Sequence, residues 1–205
     1  MNKPEQPQLE GPNEGLQSAS FFQGVLAVGA VLIGWLVGFY PVDLIRLDPT
    51  VYDDLLFALL ITAPMAGLFV LLARFPLGPF RSIREKMDEL LLPLFHRLSL
   101  FDLVLVSLLA GVGEELLFRG LLQPAIAYWT GPLIGLLAAS VLFGLAHLIT
   151  PTYAIMAGLM GCVIGWAMQV TDNLLSAMVI HAVYDFIALS YFLRVVHRDW
   201  QPPSE

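Results

Sequence analysis

Apolar residues in this chain gather into long uninterrupted blocks, and those blocks decide the fold class. Residues 21–40 contain no charged side chain, and neither do residues 55–73. A hydrocarbon layer about 30 Å thick takes roughly 20 apolar residues of helix to cross. Backbone groups inside it must bond to one another, so such blocks are helices. The pattern predicts spans over about 21–40, 54–74, 132–149, 153–170 and 174–193, with a further one starting near Phe101 and reaching as far as Trp129. That last block is longer than a crossing needs. It can tilt, kink near Pro124, or leave the membrane soon after Arg119. The predicted fold is therefore an all-α polytopic membrane bundle of about six transmembrane helices.

Residues 81–100 have a different rhythm. Arg84, Lys86, Asp88 and Glu89 alternate with Ile83, Met87, Leu90, Leu91 and Leu94. This predicts an amphipathic helix lying in the interface, bent at Pro93. Loops between the last four spans are very short, which makes consecutive helices antiparallel neighbours. Gly131-x-x-x-Gly135 and Gly161-x-x-x-Gly165 let backbones approach closely. The resulting division is a polar N-terminal tail (1–20), two spans and the interfacial helix (21–100), a helical core (101–193) and a polar C-terminal tail (194–205). The acidic flank before the first block, with Glu5, Glu10 and Glu14 against Lys3, favours a retained span over a cleaved signal.

Composition agrees with the blocks: 58% of residues are hydrophobic and 13% charged, whereas a soluble domain carries about 25% charged residues. The net charge of −7 comes mostly from the N-terminal tail and the first loop. No basic patch with interleaved aromatics supports nucleic-acid binding. A single cysteine, Cys162, rules out an intrachain disulfide. Arg74, Arg81, Arg84, Lys86 and Arg97 lie between the second and third spans, and Arg194 and Arg198 follow the last. With six spans these fall on one side, so both termini are expected in the cytoplasm, and the expected location is the bacterial inner (plasma) membrane.

The core contains ionisable residues that a bilayer disfavours: Glu114, Glu115, Arg119, His147, His181 and Asp185. Each costs about 2.5–3.5 kcal/mol at a helix centre even on a mild insertion scale. Taken alone, each has an ordinary explanation. Glu115 and Arg119 are four apart, acid first, a favourable helical ion pair. His147 suits a packing role over Phe143, four residues earlier, and His181 and Asp185 form a self-contained pair. Glu114 resists this treatment, because it points roughly 100° away from Glu115 and one arginine cannot easily serve both. One carboxylate and two histidines on three helices, without matching cations, suit activation of a water. If the third and fourth spans turn over near Thr130 and Gly131, Glu114 and His147 lie at similar depth.

Glu114-Glu115-Leu-Leu-Phe-Arg119-Gly120, then Phe143-Gly-Leu-Ala-His147, then His181-Ala-Val-Tyr-Asp185 resemble the three motifs of the CPBP family, which includes CAAX prenyl endopeptidases and bacteriocin-processing or self-immunity enzymes. The resemblance covers about residues 101–193. It implies an intramembrane endopeptidase acting on a membrane-associated peptide or protein, with a lipid-modified CAAX-type substrate as one candidate. It further implies that Glu114, with His147, activates water, and that His181 and residue 185 stabilise the oxyanion. Glu115 and Arg119 would hold this arrangement, with Phe143 as a packing neighbour.

Position 185 departs from the pattern, since the family often has Asn there and an ionised Asp can only accept hydrogen bonds. The expected role of Asp185 is to orient His181. Glu plus two His could bind Zn²⁺, but His-Glu-x-x-His spacing is absent, and the family resemblance implies a glutamate-type enzyme without a metal or other cofactor. Two other readings remain open. Intramembrane Glu, His and Asp also build the proton relays of coupled transporters, and the family has relatives that act as non-catalytic scaffolds.

Overall fold

The computed structural model describes residues 14–197, and among these every regular element is a helix. Four are long and apolar enough to cross a membrane: α1 (Glu14–Val37), α2 (Val51–Arg74), α7 (Pro151–Thr171) and the final helix, which begins as α8 (Leu174–Tyr191). Between α2 and α7 lie α3 (Pro79–Phe95), α4 (Leu100–Glu115), a π-helical segment (Leu116–Leu122), α5 (Gln123–Thr130) and α6 (Pro132–Ala146). A short 3₁₀ turn, Pro41–Leu44, sits in the first loop. The protein is an integral membrane helical bundle.

Boundaries differ from expectation in several places. The first helix begins at Glu14, so residues 14–20 belong to a helix and not to a loose tail; residues 1–13 lie outside the described residues, as do 198–205 with Arg198. Second, α6 has 15 residues, about 22 Å at 1.5 Å per residue, short of the hydrocarbon thickness. Its C-cap is His147, so the helix ends at this polar ring. Third, the long block runs on through a π segment. Gln123 N–H bonds back five residues to Phe118 O, and Pro124 has no N–H to offer Gly120. The resulting widened turn follows directly on the two glutamates; π segments of this kind recur at functional sites.

In place of one amphipathic helix over 81–100, α3 ends at Phe95 and α4 starts at Leu100; Arg81–Glu85 and Lys86–Glu89 pairs lie on the exposed side of α3. This helix marks one end of the bundle. Gly15 of α1 packs against the Leu94 carbonyl with no room for a Cβ. From the other terminus, Arg194 donates to Leu98 O, and His197 pairs with Asp88 at 2.7 Å. Burial pushes the Asp88 carboxyl above its ordinary range, against the pull of His197 and Arg84.

Small residues set the helix spacing. Any side chain at Gly111 would collide with Met178 O and Ala182, so α4 and α8 touch backbone to backbone there. Gly135 and Gly165 make similar close approaches around Gln123. Gly131 contributes differently, taking φ +91 at the turn between α5 and α6.

Candidate active site

The α4–α8 contact solves a problem of depth. His181 lies only seven residues into α8, whereas Glu115 lies far from the α5–α6 turn. The start of α8 is not level with that turn: Leu174 packs beside Gly120, which has no room for a Cβ against Pro41 and Leu174. Glu115 and His181 are then both on the order of 10 Å along their helices from this common level. They meet, with His181 Nδ1 2.6 Å from Glu115 Oε1.

Glu115 is the centre of a dry network. The same Oε1 accepts from Arg119 Nη1 at 2.9 Å, and both side chains are fully buried. Arg119 Nη2 donates to Gly161 O at 3.1 Å, across a gap that a Cβ at position 161 would fill. The guanidinium carbon lies 4.4 Å from the Phe143 ring centroid, a distance at which the ring face attracts a cation. Phe143, wholly buried, also stacks on His147 at 4.4 Å and meets His181 edge-on at 5.8 Å. It thus touches every cationic or imidazole group of the site and fixes their spacing.

Glu114 faces the other way. Its Oε1 accepts from Gln23 Nε2 at 2.7 Å, while Oε2 has no hydrogen-bond partner and lies 3.5 Å from His147 Nε2. His147 Nδ1 is 2.8 Å from Phe143 O; a carbonyl can only accept, so Nδ1 carries a proton. In the neutral ring Nε2 is therefore a free lone pair beside a free carboxylate oxygen. Both residues line a cavity of about 470 Å³ bounded by α1, α2, α3, α4, α7 and α8, together with His181 and Asp185.

All seven residues singled out from the sequence come together, with one change of partner. The short bond that orients His181 is made by Glu115, not by Asp185. Asp185 Oδ2 stands 3.4 Å from Nε2, longer than an ordinary N–H···O bond. The i,i+4 spacing of His181 and Asp185 suggests a pair, but a buried carboxylate on a neighbouring helix competes better. Sequence reasoning missed Gln23 and Tyr153. Gln23 left a signal, being an amide inside a block otherwise almost free of hydrogen-bonding side chains. Tyr153, on the cavity wall beside His147, left none.

The Nδ1 atoms of His147 and His181 are engaged by Phe143 O and Glu115, and their Nε2 atoms face different carboxylates. Among the described residues no three His, Cys, Asp or Glu side chains could hold a metal ion.

A free carboxylate and a free imidazole nitrogen at the head of an apolar cavity can deprotonate a water and deliver it to an electrophile. Residues 96–187 match the family described as type II CAAX prenyl endopeptidase Rce1-like, a stretch that contains all three motifs. No curated protein and no solved structure matches the chain. Over residues 96–187, under half of its length, the chain is thus similar to intramembrane proteases of the CPBP family.

Proposed function

We propose that the protein is a glutamate-type intramembrane endopeptidase that cleaves a prenylated, CAAX-type membrane-associated peptide without a metal ion. The observation that carries this reading is the convergence of Glu114 Oε2 and His147 Nε2, 3.5 Å apart, on an apolar cavity. One water can touch both atoms. Glu114 takes its proton, the hydroxide adds to the scissile carbonyl carbon, and the carbonyl oxygen becomes an oxyanion. When the intermediate collapses, the C–N bond breaks and the proton held by Glu114 passes to the leaving amine. Gln23, donating to Oε1, leaves Oε2 turned to the water.

His181 acts as an imidazolium: Nδ1–H donates to Glu115 and Nε2–H, with Asp185 3.4 Å away, donates to the oxyanion. Walls of Met65, Phe69, Met156, Met160 and Leu189 accept an apolar lipid chain or side chain while the peptide reaches the polar end. The reading extends to orientation. The N-terminal end of α1, the C-terminal end of the last helix and α3, which carries Arg81, Arg84 and Lys86, lie together, which favours both termini on the cytoplasmic face of a bacterial inner membrane.

The test is cleavage of prenylated and unmodified C-terminal peptides by the purified protein in detergent. Glu114→Gln keeps size and hydrogen bonding but removes the base, so turnover should fall about 10²–10⁴-fold with unfolding unchanged. A Gln variant as active as wild type would sink the mechanism. A folded wild type inactive on every peptide would favour the scaffold reading. Stoichiometric zinc, with activity lost on chelation and restored by zinc, would overturn the metal-free assignment.

A further inference from the structure

An oxyanion needs donors aimed at the point where charge develops, and losing one commonly costs 10²–10³ in turnover. If the proposed hydrolysis is correct, His181 Nε2–H supplies one donor. Asp185 stands beside it where an amide would have supplied another, and an ionised carboxylate donates nothing. Apart from these residues, Glu114 and His147, the polar side chains facing the cavity are Gln23, Arg84, Tyr153 and Tyr184.

Three of them are placed for other work. Gln23 is bound to Glu114. Arg84 belongs to α3, at the end of the cavity where His197 pairs with Asp88. From His181 to Val196 the cavity follows the last helix for about 22 Å at 1.5 Å per residue, so Arg84 is remote from the reacting carbonyl. Tyr184 sets its ring edge-on against Phe69 of α2, at 6.1 Å.

Tyr153 has the right surroundings. Its ring centroid is 6.2 Å from that of His147, and it lines the same cavity as Glu114, His181 and Asp185. Among the described residues none takes a hydrogen bond from its hydroxyl. Its backbone is fixed: Pro151 opens α7, and Tyr153 N–H donates to the capping Thr150 Oγ1 at 3.1 Å. The turn that ends α6 at His147 thus also delivers Tyr153. A phenol keeps its proton at neutral pH, so it is a neutral donor that a nearby carboxylate does not strip.

We propose that the Tyr153 hydroxyl donates a hydrogen bond to the oxyanion of the tetrahedral intermediate, in the place that a side-chain amide at position 185 would fill. No new bond is made or broken by Tyr153; it stabilises charge that the Glu114-activated water creates.

The experiment compares full-length wild type, Y153F, D185N, the Y153F/D185N double variant and E114Q on one cleavable fluorogenic peptide, alongside affinity for a peptidyl phosphonate that mimics the tetrahedral centre. Tyr153→Phe should lower kcat about 10²–10³-fold, leave KM within about twofold, and weaken the phosphonate far more than the substrate peptide. Because Asp185→Asn restores an amide donor, Y153F in that background should cost only about tenfold. Y153F retaining most of its kcat, changing KM alone, or costing as much with Asn at 185 as with Asp would overturn the proposal. E114Q reports separately on the base. Inactive E114Q with unimpaired Y153F removes Tyr153 and leaves the base standing; active E114Q with impaired Y153F does the reverse. The phosphonate affinities judge Tyr153 even if no peptide in the assay is cut.

Discussion

Two buried polar clusters hold this bundle together, and they are satisfied to different degrees. One joins the first loop to the α7–α8 turn. Asn173 is fully buried, and its side chain fulfils all four of its hydrogen bonds. Oδ1 accepts from Arg46 N and Leu175 N, both at 3.0 Å; Nδ2 donates to Arg46 O at 3.0 Å and Asp54 Oδ2 at 2.8 Å. The other cluster is the site, where Gln23 Oε1, Glu114 Oε2, Glu115 Oε2 and Arg119 Nε are buried without partners. Native structures leave few such atoms. Unpartnered atoms also occur away from the site, at Ser107, Gln123 and Ser176, so unused capacity points to chemistry where, as at Glu114, the residue also lines the cavity, while completeness at Asn173 is the mark of scaffolding. Burial and polarity alone would have placed both clusters in one class.

The largest effect should come from Glu115, which lies between the two kinds. Glu115→Ala leaves the Arg119 guanidinium and the His181 Nδ1 without their shared carboxylate. Removing one partner of a buried ion pair costs about 3–5 kcal/mol, so unfolding in detergent should shift by that amount and activity should vanish with it. A variant with wild-type stability would show that the network does not support the fold.

Asn173→Leu should separate fold from chemistry. It strands Asp54, two backbone groups of Arg46 and the Leu175 N–H, at about 1–3 kcal/mol for each group left unpaired. Stability should fall, yet the fraction that remains folded should cleave at the wild-type rate. A large loss of kcat per folded molecule would mean that the clamp and the site are one unit. Gln23→Leu is the converse. It loses one hydrogen bond to a charged group, about 1.5–3 kcal/mol, against the four groups stranded at Asn173, so stability should fall less while turnover drops about 10–100-fold because this bond aims Glu114. Unchanged turnover would remove α1 from the mechanism.

The same contrast explains what could be read from the sequence. Apolar blocks gave the helices, because length in hydrocarbon is a local property. Glu114, Glu115, Arg119, His147, His181 and Asp185 stood out because each is costly in a bilayer, whatever its partners. Partnership itself was not legible. That Glu115 and not Asp185 holds His181 depends on the depth at which α8 starts, and so on Gly120, Leu174 and Pro41. The helical start at Glu14 was missed because Gly15, Gln17 and Ser18 read as a polar tail, while contact with Leu94 on α3 stabilises them as helix. Asn173 was invisible for a similar reason: a Thr-Asp-Asn run reads as a surface turn, and only packing buries its last residue.

The smallest effect should lie at the rim of the complete cluster, where Asp172 precedes Asn173. Its carboxylate is 2.7 Å from Arg46 Nη1, but the two side chains are 77% and 48% exposed, and exposed pairs contribute about 0.2–1 kcal/mol before screening by salt. Arg46 also donates to the Asp172 carbonyl at 3.3 Å, a contact that survives any substitution of the side chain. What the position demands is its backbone, at φ 50, which Asn and Gly tolerate and a β-branched residue does not. Asp172→Asn should therefore change unfolding by less than about 0.5 kcal/mol, and less still in high salt. Asp172→Val should cost on the order of 1–2 kcal/mol, independent of salt. If Asn proved as harmful as Val, the ion pair would matter more than the turn, and exposed charge would have to join the buried amide as part of the clamp.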